Sequence, residues 1–179
     1  MNGETIVRLA GRGDGVTESG RFVAMTAPGD IVADDGQAVA GPHRAVPPCR
    51  HFPECGGCQL QHVDDAAYAD YLKDRIADAL AAQGLAAPEL RAPHPSPPRS
   101  RRRAALKAAG GLVGFNAGAS HRIVDMRECH ILRPELFALV APLRRLVRGR
   151  AAATMTLADQ GVDLLLEGVG AEGSRRPRR

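Results

Sequence analysis

Short apolar runs, separated by glycine and proline, dominate the first forty positions of the chain. Brief strands with turn signals at such close intervals are typical of a small β-barrel. The glycine-rich run 11–15 is interpreted as a tight barrel turn, because neither a helical pattern nor a Gly-Lys-Ser/Thr sequence follows it, as a phosphate-binding loop requires. The expected strands are residues 5–10, 21–26, 31–33 and 37–40.

A helical pattern follows further along the chain. Apolar residues recur at intervals of three and four between Tyr68 and Leu80, which places them on one face of a helix. Asp64 or Asp65 is expected to cap the start of this helix, and Gly84 to end it. We interpret the two tyrosines of this helix as core residues rather than as stacking groups for nucleic-acid bases.

The second half of the chain predicts two hairpins with a helix between them. The helix is expected to begin at Pro134 and to carry an apolar stripe from Leu136 to Val147. Residues 122–126 form a further strand candidate, which ends just before Cys129. Each expected hairpin turn contains glycine, as tight hairpin turns commonly do. The hairpin strands are expected at residues 101–108 and 112–115, and at residues 154–158 and 162–167.

These elements predict an α+β fold in three parts. A β-barrel is expected at residues 1–44, a central α+β domain at 45–168 and an unstructured basic tail at 169–179. Hydrophobic residues make up 44% of the chain but aromatic residues only 3%, so the core must be built from Ala, Val and Leu. Such a core is thin, and a metal centre would help to stabilise it.

The hydropathy pattern excludes a membrane-spanning helix. No apolar stretch approaches the roughly 18 to 20 residues that a membrane span needs. The N-terminus also lacks the apolar region and the cleavage site of a signal peptide. We therefore expect a cytoplasmic protein that makes no membrane contact.

Positive charge is concentrated in one segment of the chain. Residues 1–98 carry 8 basic and 13 acidic side chains, residues 99–150 carry 12 and 3, and residues 151–179 carry 4 of each. No acidic residue occurs between Arg91 and Arg122. Clustered arginines are typical of phosphate recognition, so RNA or DNA is the expected partner. The candidate phosphate contacts are Arg101, Arg102, Arg103, Lys107 and Arg122.

The cysteines are grouped in a way that predicts a metal centre. Cys49, Cys55 and Cys58 fall within ten residues, and Cys129 is the only other cysteine. A local triplet with one distant cysteine is a familiar way to ligate an iron–sulfur cluster. A structural zinc site more often has two close pairs of ligands, so zinc is the second alternative.

Other residues near the cysteines were also considered as part of this centre. Gly56 and Gly57 are expected to leave backbone amides free to approach the sulfur atoms of a cluster. His51, His62 and His130 lie close to cysteines in the sequence, and we interpret them as packing or hydrogen-bonding residues rather than as ligands.

Three motifs in the chain are specific. They are Cys49-x5-Cys55-Gly56-Gly57-Cys58-Gln59-Leu60-Gln61-His62, the segment Gly114-Phe115 to Ser120 with Ile123-Val124-Asp125, and Cys129-His130-Ile131-Leu132. With these motifs the chain resembles the iron–sulfur-containing bacterial RNA uracil-5-methyltransferases, from about residue 5 to about residue 168. Residues 6–15 and 28–30 look like a short form of the TRAM barrel at the start of that family.

The resemblance implies that this chain binds a cluster and RNA. It implies a [4Fe–4S] cluster held by Cys49, Cys55, Cys58 and Cys129, with a structural role or a role in RNA folding, and ribosomal RNA as the partner. Family members continue with a Rossmann-like domain that binds S-adenosylmethionine and supplies the catalytic residues. That domain is absent here, so no catalytic residue is expected, and a truncated or frameshifted product that is inactive by itself is the simplest account. The chain is expected to be a monomer. The alternatives are a stand-alone iron–sulfur RNA-binding module and a zinc-stabilised nucleic-acid-binding protein.

Overall fold

The computed structural model describes residues 3–168, so the predicted basic tail 169–179 lies outside the described residues. The chain divides into two compact units. The first contains Met1–Pro48 and Gln59–Pro95, and the second contains Cys49–Cys58 and Ser96–Arg179. Within the described residues there are nine β-strands and three helices, so the regular structure is mainly β. None of these helices has the length and apolar character needed to cross a membrane.

The first unit contains a curled antiparallel sheet with the strand order β3-β2-β1-β4-β5. Strand β1 belongs to both halves of the sheet, because Gly3–Thr5 pair with β4 and Ile6–Leu9 pair with β2. The register shifts between Ile6 and Arg8, and an irregularity of this kind bends a strand. The sheet is compatible with the predicted small barrel. Its strands are β1 (Gly3–Leu9), β2 (Gly15–Thr17), β3 (Phe22–Val23), β4 (Ile31–Ala33) and β5 (Ala38–Val39).

Strand β2 was not predicted, and the strand expected at residues 21–26 is reduced to β3. The sequence analysis assigned Gly15 to a turn, but it begins β2. A Cβ atom on Gly15 would lie 2.1 Å from the Thr26 hydroxyl and 2.8 Å from an Ile6 methyl group. This glycine is therefore required by close packing between segments, which the local sequence does not indicate.

Helix α1 spans Asp65–Ala81, and the Asp64 carboxylate caps it by accepting a hydrogen bond of 2.8 Å from the Ala67 N–H. The predicted cap is thus confirmed. Tyr71 is buried and donates a hydrogen bond of 3.0 Å to the Gly11 carbonyl, which confirms its core role. Ile76, on the predicted apolar face, is 52% exposed. The helix lies in the first unit although the sequence analysis grouped it with residues 45–168, because its tyrosines pack within that unit.

The second unit contains a four-stranded antiparallel sheet with the strand order β7-β6-β8-β9. Both predicted hairpins are present. Gly110 and Gly111 have φ values of 56° and 82°, which the tight turn between β6 and β7 requires. Along β6, Ala104, Leu106 and Ala108 are buried while the alternate residues face solvent. The strands are β6 (Arg103–Ala109), β7 (Leu112–Gly114), β8 (Ala151–Ala158) and β9 (Gly161–Glu167).

The single helix predicted after Pro134 is observed as two short helices, α2 (Pro134–Phe137) and α3 (Val140–Leu146). Pro142 explains the interruption, because it has no N–H to donate to the Ala138 carbonyl and its ring would collide with that carbonyl in a continuous helix. Four residues of the predicted stripe are nevertheless buried against the sheet, and Leu146 is exposed. The buried residues are Leu136, Val140, Leu143 and Val147.

Residues 122–126 were predicted as a strand, and that prediction is wrong in detail. The segment runs beside β7, with the Met126 N–H donating to the Val113 carbonyl at 2.9 Å, but only an isolated bridge between Ile123 and Asn116 forms. The Asp125 carboxylate accepts from the Val113 N–H at 3.4 Å, and Arg144 donates to the Met126 carbonyl at 2.5 Å. The Val113 N–H and the Met126 carbonyl therefore bond to side chains, whereas in a regular β-ladder they would bond to backbone groups of the neighbouring strand.

Candidate functional site

All four cysteines lie in the second unit as free, half-buried thiols. Cys49, Cys55 and Cys58 lie on one irregular segment, Cys49–Cys58, which we call the cysteine loop. The loop is built from successive turns, because the Cys55 N–H donates to the His51 carbonyl at 2.8 Å and the Phe52 N–H to the Cys49 carbonyl at 3.1 Å. Cys129 follows the segment that runs beside β7.

The middle of the cysteine loop packs closely against residues 115–118. The Gly56 N–H donates to the Asn116 carbonyl at 2.9 Å, and Cys55 forms an isolated bridge with Ala117. A Cβ atom on Gly57 would lie 2.8 Å from the Phe115 ring. The expectation that both glycine amides are free is therefore wrong for Gly56, because the carbonyl of Asn116 takes its N–H. The Gly57 N–H acts to lower the pKa of the Cys55 thiol, against the larger effect of burial.

We expect Gly57→Ala to destabilise the second unit by about 1 to 3 kcal/mol, because the added methyl group must displace the Phe115 ring. The matched control is Gly118→Ala, since a Cβ atom at that position meets nothing within 4 Å. The control should change the free energy of unfolding by no more than about 0.5 kcal/mol. Urea unfolding of both variants checks the prediction, and equal stabilities would contradict it.

The start of the cysteine loop is bonded to the residues that precede Cys129. The backbone N–H of Arg50 donates to Glu128 Oε1 at 2.7 Å, and its side-chain Nε donates to Glu128 Oε2 at 3.2 Å. The Arg127 N–H donates to Nε2 of His51 at 3.0 Å. The hydrogen bond from the Arg50 N–H is the main reason why the pKa of Glu128 lies below its ordinary value. Glu128 is thus an ionised acceptor for both groups of Arg50.

Electrostatic interactions link the four thiols to one another. Burial raises the pKa of Cys49, the charges of Glu128, Cys129 and Cys58 add to the rise, and the His51 N–H opposes it. Burial likewise raises the pKa of Cys55, with contributions from the other three cysteines, and the Gly57 N–H opposes it. Thiolates at these positions repel one another, so a bound cation would stabilise them together.

The arrangement does not fit a single metal ion. Within residues 3–168, no three Cys, His, Asp or Glu side chains are grouped closely enough to hold one ion. Zinc would require zinc–sulfur distances of about 2.3 Å and hence sulfur atoms about 4 Å apart. An iron–sulfur cluster is larger than one ion, so its cysteines surround a wider space. Within the described residues, the four thiols therefore do not form a site for a single zinc ion.

The three histidines near the cysteines in sequence have other partners. His51 accepts from Arg127, as described above. His130 lies 3.6 Å from Glu128. His62 is buried in the first unit, with Nε2 3.2 Å from the Thr26 carbonyl, and burial lowers its pKa. The contacts of His51 and His62 agree with the interpretation of these two histidines as hydrogen-bonding residues, whereas the His130 contact, at 3.6 Å, is too long for a hydrogen bond.

Three of the five candidate phosphate contacts are cations that no described carboxylate neutralises at short range. Arg103 and Lys107 lie on the exposed face of β6, and Ala105 lies midway between them on the same face. Arg101 is exposed just before the strand, and its N–H donates to the Ile131 carbonyl at 3.0 Å. Within residues 3–168, the observed ion pairs do not include these three side chains.

The other two candidates are paired with acids from distant parts of the sequence. Arg102 Nη2 lies 3.4 Å from Asp159 and also donates to the Leu157 carbonyl, while Arg122 Nη2 lies 2.5 Å from Glu54. The lack of acids between Arg91 and Arg122 in the sequence therefore does not leave Arg102 and Arg122 without a nearby acid, because the fold brings distant acids to both arginines.

Comparison with known proteins identifies relatives of the chain, although no family model matches it. The chain is 48% identical over 171 residues to an uncharacterized RNA methyltransferase of Zymomonas mobilis, a match that covers 90% of this chain and 43% of that protein. It is 38% identical over 193 residues to an uncharacterized RNA methyltransferase of Rhizobium meliloti, covering 92% and 46%. A 23S rRNA (uracil(1939)-C(5))-methyltransferase of Halomonas elongata is 39% identical over 119 residues, covering 63% and 25%. The chain belongs to this RNA methyltransferase family.

Membership of this family confirms the resemblance found in the sequence. The chain spans less than half the length of the relatives named above. The structure also identifies three residues of the candidate site that the sequence patterns did not indicate, namely Arg50, Glu54 and Glu128. A signal existed for two of them, because Arg50 and Glu128 are direct neighbours of Cys49 and Cys129. Nothing in the sequence pairs Glu54 with Arg122.

Proposed function

We propose that this chain is the cluster-bearing and RNA-binding part of an RNA (uracil-C5) methyltransferase. Cys49, Cys55, Cys58 and Cys129 are the proposed ligands of a [4Fe–4S] cluster. The observation that carries the proposal is that the hydrogen bonds between Arg50 and Glu128 and between Arg127 and His51 hold the cysteine loop beside the segment that leads to Cys129, in a relative of RNA methyltransferases. All four cysteines are free thiols, and cysteine thiolates are the ligands of iron–sulfur clusters.

The proposed role of the cluster is structural. When bound, it supplies four bonds that hold the cysteine loop and Cys129 together. The chain's own residues do the remaining work: Gly56 and Gly57 allow the loop to pack on residues 115–118, and the basic side chains bind RNA. Methyl transfer to uracil would use S-adenosylmethionine and the part of a full-length protein that this chain does not span. We propose no catalytic residue within residues 3–168, and we propose that the protein acts in the cytoplasm on ribosomal RNA.

The proposed RNA contacts centre on Arg101, Arg103 and Lys107. Small residues surround the two cations of β6, since Ala105 lies between them and Thr154 on β8 lies opposite Ala105. A surface of this kind lets a phosphate backbone approach the sheet closely. Arg102 and Arg122 remain predicted contacts at its margin, and their ion pairs with Asp159 and Glu54 reduce the attraction that they offer.

Acids on the same sheet lie further away. On β9, Asp163 pairs with Thr156 of β8, and Thr156 pairs with Arg103 of β6. In the same way, Glu167 pairs with Ala152, and Ala152 pairs with Lys107. Because neighbouring strands are about 4.8 Å apart, the backbone of each of these acids is about 10 Å from that of the cation in its row. Within residues 3–168 neither acid forms an ion pair with Arg103 or Lys107, so the β9 acids neutralise neither cation at short range.

A salt titration of single-stranded RNA binding tests the proposed function. The double variant Arg103→Ala, Lys107→Ala should lower the slope of log affinity against log salt by about one for each lost phosphate contact. The control double variant Arg102→Ala, Arg122→Ala removes the same formal charge from arginines that are already ion-paired. Its slope should change less. Equal slopes for the wild-type chain and the β6 variant would contradict the proposed contacts.

A further inference from the structure

The cysteine loop is bonded to the segment around Cys129 through groups other than sulfur. Arg50 directly follows Cys49, and Glu128 directly precedes Cys129. The two hydrogen bonds from Arg50 to Glu128, at 2.7 and 3.2 Å, join residues that are 78 positions apart in the chain. The bond from the Arg127 N–H to His51, at 3.0 Å, joins the same two segments.

These contacts restrict the distance between two of the cysteines. When Arg50 and Glu128 are held together, Cys49 and Cys129 can move relative to each other only through the torsions of these four residues, the Glu128 side chain included. The Glu128 carboxylate uses both of its oxygens, one on a backbone N–H and one on a guanidinium nitrogen. Charge-assisted hydrogen bonds of this kind are stronger than neutral ones. Glu128 is also only 28% exposed, so solvent competes for these bonds incompletely.

We infer that Glu128 is a positioning residue that brings Cys49 and Cys129 together before any metal binds. Arg50 and His51 are its counterparts on the cysteine loop. The site is then preorganised by the chain, and metal binding does not have to order the loop. The part of this inference that concerns metal affinity rests on the proposed function, whereas the part that concerns the metal-free protein does not.

Amide hydrogen exchange in the metal-free protein tests the positioning role directly. The Arg50 N–H should be protected in the wild-type chain and should lose its protection in Glu128→Ala. Glu128→Gln retains an oxygen acceptor and should restore part of that protection. Glu135→Ala is the matched control, because Glu135 forms a local ion pair, with Arg133 two positions away at 2.7 Å, and does not join distant segments of the chain as Glu128 does. Amides of the β6–β7 hairpin should stay protected in all variants, which shows that the unit is folded.

The second measurement is the release of iron from reconstituted protein to a chelator. Loss of a residue that positions metal ligands lowers metal affinity by on the order of 10- to 100-fold. We expect Glu128→Ala to release iron faster in that range, Glu128→Gln to lie between it and the wild type, and Glu135→Ala to match the wild type. If Glu128→Ala does not fold, the Gln variant alone decides the comparison.

The outcomes separate the two proposals. A wild-type chain that binds no iron but protects the Arg50 amide overturns the proposed cluster and leaves the positioning role standing. A chain that binds iron equally well with and without Glu128 overturns the positioning role and leaves the cluster standing. Rapid exchange of the Arg50 amide in the wild-type metal-free chain also overturns the positioning role.

Discussion

Replacing Cys129 with serine is expected to remove most of the bound iron and to lower the melting temperature of the second unit by about 10 °C or more. Cys129 lies about seventy residues beyond Cys58, so a cluster joining them would close a long loop. A cross-link around a loop of this length stabilises a protein by about 4 kcal/mol in the chain-entropy model. For a unit of this size, each kcal/mol corresponds to roughly 4 to 8 °C.

Iron content, visible absorbance and thermal melting of anaerobically purified protein check this prediction. The matched control is the same pair of proteins without metal, because serine replaces cysteine with nearly the same shape and the metal-free melting temperatures should be similar. Two results contradict the prediction: wild-type protein that carries stoichiometric zinc and no iron, or loaded wild-type protein that melts at the same temperature as the metal-free form.

Replacing Asp30 with alanine is expected to destabilise the first unit by about 3 to 5 kcal/mol. The Asp30 side chain is fully buried and accepts hydrogen bonds from the Ala27 N–H at 2.6 Å, from the Gly41 N–H at 2.8 Å and from two nitrogens of Arg44. Removing the carboxylate leaves the mostly buried Arg44 charge and both backbone donors without their acceptor. Breaking one side of a buried ion pair typically costs this much.

Urea unfolding with a probe in the first unit measures the effect. Asp70→Ala is the matched control in the same unit, because its side chain is 69% exposed and its ion pair with Lys73, at 2.7 Å, lies on the surface of α1. The control should change the free energy of unfolding by less than about 1 kcal/mol. An Asp30→Ala variant as stable as this control would show that the buried pair contributes nothing.

The environment of Asp30 also leads to a prediction about the stability of the protein at acidic pH. Burial by itself raises its pKa, but the hydrogen bonds from Arg44, Ala27 and Gly41 outweigh burial and leave the pKa below the ordinary value of 3.8. A carboxyl group with a lowered pKa in the folded state stabilises the protein above its unfolded-state pKa, and this stability is lost as the pH falls through the folded-state pKa. Wild-type stability should therefore fall more steeply below about pH 4 than that of Asp30→Asn.

Local signals in the sequence were sufficient for the elements whose cause is local. The Asp64 cap and the turn at Gly110 and Gly111 depend on a few adjacent residues, so their positions could be predicted. Pro142 was also a readable signal, and it explains why one predicted helix is two. Strand β2 could not be predicted, because Gly15 is required by its approach to Thr26 and Ile6 rather than by a turn.

The sequence by itself determined the family, through the spacing of Cys49, Cys55, Cys58 and Cys129 and the motifs around them, and it determined which segment is basic. Only the tertiary structure decided which cations lack a nearby acid and which groups hold the cysteine loop in place. Both depend on pairs such as Arg122 with Glu54 and Arg50 with Glu128, whose members are far apart in the chain. A charge pattern along the sequence cannot indicate these pairs, because electrostatic and hydrogen-bond energies depend on distance in space.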